Sequence, residues 1–129
     1  MAWPTSRTWL PRRAHSSRED DVPLIEAQLA GFTRFTSCWR SATWGEHPKG
    51  RACDFSVTTS GFGGVAAGAD KAYGTKLAVW AVANADALGL MYVIWFRQIW
   101  TPSLGWHAYN AYGTDPSAEH ENHVHTSVL

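Results

Sequence analysis

The chain has 129 residues, a formal net charge of zero and a pI near 7.0, so it lacks the basic field that draws proteins onto nucleic acid or anionic lipid. Hydrophobic residues make up 45% and charged residues 17% of it, with eight Trp and five Phe, a composition that argues against disorder and supports one compact core rather than two. No stretch reaches the roughly 18 apolar residues of a membrane span, and residues 1–20 hold Arg7, Arg12, Arg13 and Arg18 without an apolar run of signal-peptide length.

Residues 1–21 mix Pro, Ser, Arg and isolated Trp without periodicity and read as an extended or weakly ordered arm, in which His15 carries no chemistry. The string from Val22 to Ala30 predicts a short helix closed by Gly31. Phe32 to Trp39, FTRFTSCW, then favours a strand. A polar loop, Ser41 to Gly50, leads into a second strand, Arg51 to Thr58. Alternation along that strand puts Ala52, Asp54 and Ser56 on one face and Cys53, Phe55 and Val57 on the other, so Asp54 points away from the core.

Ser60 to Gly74 is rich in Gly and Ala and reads as a long connection. Leu77, Trp80, Ala81, Asn84 and Leu88 then recur at helical spacing, which predicts a helix over 75–88 with Gly89 as its stop. Met91 to Trp95, MYVIW, has the continuous apolar character of a strand covered on both faces, and Phe96 to Trp100 either extends it or returns as a hairpin. In the closing HVHTSVL, period-2 patterning places His123, His125 and Ser127 on one face and Val124, Thr126 and Val128 on the other. Together these elements predict an α+β domain. Its antiparallel or mixed sheet takes strands near 33–39, 51–58, 91–96 and 123–128, with helix 75–88 packed on one face.

Cys38 and Cys53 belong to no CxxC pair, and composition alone leaves them bonded to each other or as buried thiols. Both flank the loop that carries His47, and in an oxidising compartment they are expected to form a disulfide bracing it. The glycines at 61, 63, 64 and 68 are not followed by Lys-Ser/Thr, which excludes a P-loop. Trp95 fits the core, whereas Trp100 and Trp106 could pack there or line a groove, and His107 and His120 could rim a cleft.

Three motifs carry the chemistry: Ser37-Cys-Trp39-Arg40, His47-Pro-Lys-Gly50-Arg-Ala52-Cys-Asp54, and His120-Glu-Asn122-His123-Val-His125. A catalytic zinc takes about three His or carboxylate ligands and leaves a position open. A single strand histidine is more often a hydrogen-bonded structural residue, but a carboxylate within an apolar-flanked strand needs a cation or several donors, and Asp54 is such a carboxylate.

The ordered patterns S-x-[aromatic]-R, H-x-x-G-x-A-x-D and H-x-H resemble those of the LAS/M15 metallopeptidases, the superfamily of D-Ala-D-Ala carboxypeptidases and the hedgehog signalling domain. The segments LAVWAVANADALGLMYVIWFRQIW and GWHAYNAYG look like its actinobacterial and actinophage branch. The resemblance spans residues 32–129 and leaves 1–31, an arm and short helix, uncovered. It implies a hedgehog/peptidase-like α+β fold and a zinc peptidase acting on peptidoglycan stem peptides or crosslinks, in wall remodelling or phage lysis. It further implies zinc held by His47, Asp54 and His125, Arg40 and Ser37 facing substrate, and His123 working on the oxyanion or a proton. The expected setting is extracellular or at the cell wall, with a monomer acting on peptidoglycan peptide and using neither nucleic acid nor membrane insertion. One position departs from the family: Asn122 stands where a Glu or Asp serves as general base. An amide cannot take a proton, so His123 or Glu121 takes over that role, or the chain is a weak relative or a non-catalytic wall-peptide binder.

Overall fold

The computed structural model describes residues 21–59 and 61–129, so the arm read over 1–21, with His15, lies almost wholly outside the described residues. The elements are α1 (Asp21–Leu29), β1 (Thr36–Ser37), a 3-10 turn (His47–Lys49), β2 (Ala52–Ser56), α2 (Gly68–Ala83), α3 (Ala85–Leu88), β3 (Leu90–Trp95), β4 (Gln98–Thr101), β5 (Gly105–Ala108) and β6 (His123–Val128). The strands form one six-stranded sheet in the order β1-β2-β6-β3-β4-β5, and every pairing is antiparallel. The protein is therefore α+β, and the mixed sheet left open by the sequence is not found. Among the described residues no helix is long and apolar enough to cross a membrane.

Strand alternation divides the sheet into a core face and a cleft face. Cys53, Phe55 and Val57 from β2 and its exit join Val124 and Val128 of β6 and Val93 and Trp95 of β3 against Leu77, Ala78 and Ala81 of α2. Burying side chains the size of Phe55, Leu77 or Val124 stabilises by about 1.5–3 kcal/mol each. The opposite faces of β2 and β6 carry Asp54, His123 and His125, as the two alternation patterns predict.

The helix boundaries differ from the sequence reading. Helix α2 begins at Gly68 rather than Thr75 and breaks at Asn84, whose side chain turns back to donate to the Trp80 carbonyl at 2.8 Å. Gly74 looks like loop material but lies within the helix against the Trp95 indole; a Cβ there would stand 2.3 Å from Cη2 of that ring. The predicted stop is in place, with Gly89 left-handed at φ 68°.

Two further differences have local causes. The strand expected over 33–39 shrinks to Thr36–Ser37 because its flanks are committed elsewhere. Arg34 donates to the Val57 carbonyl and pairs with Asp70 at 3.0 Å on α2, while Cys38 is tied by a disulfide to Cys53 and the Trp39 indole donates to the Pro48 carbonyl at 3.1 Å. The chain after β3 returns as a hairpin, and β4 and β5 add two strands beyond the expected four. The two-residue turn is Phe96-Arg97, at φ 50° and 66°, the backbone of a primed hairpin turn built without its usual Gly or Asn.

Candidate metal centre

Asp54 lies at the middle of β2, directly opposite His125 on β6. The 3-10 turn brings in His47, held because its Nδ1 donates to the Cys38 carbonyl at 2.5 Å. The carbonyl can only accept, so the neutral ring keeps its lone pair on Nε2, which points at Asp54 Oδ2 from 3.1 Å. On the other side His125 places Nδ1 2.9 Å from Asp54 Oδ1, while its Nε2 meets Ser127 Oγ at 2.8 Å. The disulfide predicted between Cys38 and Cys53 is present and joins the residue that orients His47 to the neighbour of Asp54.

All three side chains are buried, and one ligand atom from each lies within 4.8 Å of the others. Among the described residues His47 Nε2 is a buried atom with no hydrogen-bond partner despite its closeness to the carboxylate. Two imidazoles converging on one buried carboxylate, with an orphaned ring nitrogen between them, fit a bound metal ion. Burial opposes ionisation of Asp54, but the hydrogen bond from His125, the close approach of the His47 ring and the electrostatic pull of His125 and His123 hold its carboxyl well below the usual range. Burial also pulls the His47 imidazole down; the Asp54 carboxylate beside its ring outweighs this and raises it.

The group forms one wall of a cavity of about 490 Å³ whose lining includes Arg40, Glu46, Phe62, Tyr92, Tyr109, Tyr112, Asp115, His120 and His123. Arg40 bonds Asp54 Oδ2 through Nη1 at 2.9 Å while half its side chain stays exposed, so donors remain for a ligand. His123 sits with Nε2 3.5 Å from Asp54 Oδ1. His120, expected at most at the rim, is buried, and its ring centroid is 4.5 Å from that of His123. Burial first, then the neighbouring histidines, lowers His120 to about 3. Burial likewise lowers His123 to about 4, against the pull of Asp54. Both rings are therefore neutral near pH 7 in the metal-free protein.

Other expected residues fall elsewhere. Ser37 pairs with Asp54 across the β1–β2 ladder and shares its face, yet it is not among the cavity residues. Glu121 is drawn off to Arg97 at 3.3 Å, and neither His107 nor Trp95, Trp100 or Trp106 lines the cavity. Sequence reasoning missed Tyr92, which stacks on His125 with ring planes 7° apart. Its signal was there as the one hydroxyl-bearing residue in an otherwise apolar strand. Trp44 and Tyr112, in edge-to-face contact at the mouth, sit on loops with no such signal.

Fold and site together define an α+β protein with a buried histidine–aspartate group able to hold a metal ion. The chain belongs to the family described as the C-terminal domain of VldE, whose model matches residues 15–124. No curated protein and no solved structure matches it.

Proposed function

We propose that this chain is a zinc-dependent peptidase of the LAS/M15 type, with a hedgehog/D-Ala-D-Ala-peptidase-like fold, that hydrolyses peptide bonds of bacterial peptidoglycan stem peptides or crosslinks. The observation that carries the proposal is the buried His47–Asp54–His125 group opening onto a cavity that also holds Arg40 and His123. Zinc bound by these three residues supplies Lewis acidity towards a carbonyl oxygen and towards water. Arg40, half-exposed beside Asp54, orients a carbonyl or carboxylate and stabilises negative charge growing on its oxygen. His123 and His120, buried and neutral, offer ring nitrogens that accept a proton and return it to the leaving amine. The disulfide supports a role outside the reducing cytosol, at the wall or in the extracellular space.

Digestion of purified peptidoglycan with mass analysis of the released fragments tests the reading. The expected result is shortened stem peptides or opened crosslinks, lost on chelation and restored by zinc. His47→Ala, Asp54→Ala and His125→Ala should each abolish zinc retention, because two remaining ligands are too few for a stable site. Arg40→Ala should keep the zinc and lower kcat by about 10²–10³-fold. A second reading, a non-catalytic module that captures wall peptide and retains the metal, is favoured by the amide at Asn122. Zinc binding without any cut fragment would establish it over the peptidase.

A further inference from the structure

Asn122 stands three residues before His125, where the peptidases the chain resembles place a carboxylate. It is almost fully buried, at 1% exposure, and its amide is fully engaged. Nδ2 donates to the Gly63 carbonyl at 2.7 Å and to Ser117 Oγ at 3.0 Å. A carbonyl can only accept, so the amide nitrogen must face Gly63, and Oδ1 is thereby turned to His123 Nδ1 at 2.6 Å. Oδ1 in turn can only accept, so Nδ1 must carry the hydrogen. The neutral imidazole then has its lone pair on Nε2, the atom that looks towards Asp54 and the cavity.

We propose that Asn122 is a positioning residue that fixes His123 as the Nδ1–H tautomer and so presents Nε2 to the cavity as an acceptor rather than a donor. This deepens the peptidase reading and rests on it for its catalytic consequence: His123 takes a proton from water or an attacking group, and Arg40 is left as the oxyanion donor. A carboxylate at position 122 would set acceptor against acceptor at Gly63 and lose the donor pair that fixes its side chain. Restoring Asp or Glu there therefore impairs the site instead of repairing it. Gly63 and Ser117 hold the amide from outside the sheet, which makes the selection a property of the assembled fold, since free imidazole has no such constraint.

The test is long-range ¹H–¹⁵N correlation on the full ¹⁵N-labelled chain at mildly alkaline pH, with the His123 signals assigned by loss in His123→Gln. The wild type should show a protonated Nδ1 and an unprotonated Nε2. Asn122→Ala should shift the ring towards the Nε2–H form, and Ser117→Ala, which spares the Oδ1 bond, should leave the tautomer unchanged. On a wall peptide, Asn122→Ala should lower kcat about 10–10²-fold with KM little altered. The wild-type spectrum alone is decisive even if Asn122→Ala does not fold, because a protonated Nε2 there overturns the proposal. An altered tautomer with unchanged kcat overturns it as well. If the wild type cuts no peptide, the peptidase reading fails, while the spectrum still decides what Asn122 does to His123.

Discussion

At the scale of single residues, the polar groups away from the cavity show how much the fold tolerates. Glu26 on α1 is buried, and among the described residues its Oε2 has no hydrogen-bond partner. Burial raises its carboxyl above the ordinary value. A carboxyl raised in the folded state stabilises the fold in its neutral form, fully so below the unfolded pKa, and that contribution is lost as pH rises through the folded pKa. The protein is thus penalised at neutral pH by a buried charge. Glu26→Met should make it more stable by on the order of 1 kcal/mol at about pH 7.5, with the difference fading by about pH 4. Urea titrations at the two pH values measure this, and an equal gain at both would place the effect in packing instead of ionisation.

Among the elements, α2 shows how a close contact overrides propensity. Glycine inside a helix costs roughly 0.5–1 kcal/mol relative to Ala, and alone it would argue for Gly74→Ala as a stabilising change. The Trp95 ring occupies the space, with a would-be Cβ 2.3–2.9 Å from three of its carbons and its Nε1 donating to Thr75 Oγ1 at 3.2 Å. Overpacking of this kind costs about 1–3 kcal/mol, so Gly74→Ala should be net destabilising in a thermal or urea melt. The same contact explains why the helix start was illegible: the Gly/Ala run over 61–74 carries no amphipathic stripe, and what makes Gly74 helical is a tryptophan some twenty residues later. By contrast β2 and β6 were legible residue by residue, because period-2 alternation is local and strand pairing then brings Asp54 opposite His125. His120 was only half legible. It reaches the cavity through a positive φ of 56° and a brace in which Phe96 N–H donates to its carbonyl at 2.8 Å, and that brace depends on a hairpin turn lacking glycine.

Taken whole, the molecule hangs on β6, which pairs with β2 on one side and β3 on the other, while its two faces supply core valines and cavity histidines. The 15-residue separation closed by Cys38–Cys53 fastens the outer edge of that arrangement and the turn bearing His47. Loop closure of that length is worth about 3 kcal/mol in the chain-entropy model. Replacing both cysteines by Ser should lower global stability by about that amount and also weaken metal retention, since the Cys38 carbonyl holds His47. Denaturant melts and metal titration of the same variant read the two effects separately. A large stability loss with unchanged metal affinity would show that the turn is held without the bridge.

The mouth of the cavity also carries its own chromophore. Trp44, 67% exposed, stands edge-on to Tyr112, 78% exposed, and both line the opening. An indole so placed emits towards the red and lies open to quenchers dissolved in water, whereas one covered by a seated peptide or sugar is shielded and shifts towards the blue. The fluorescence difference between the native chain and Trp44→Phe then isolates this lip from the other tryptophans. It gives an optical record of occupancy that needs neither turnover nor a labelled ligand.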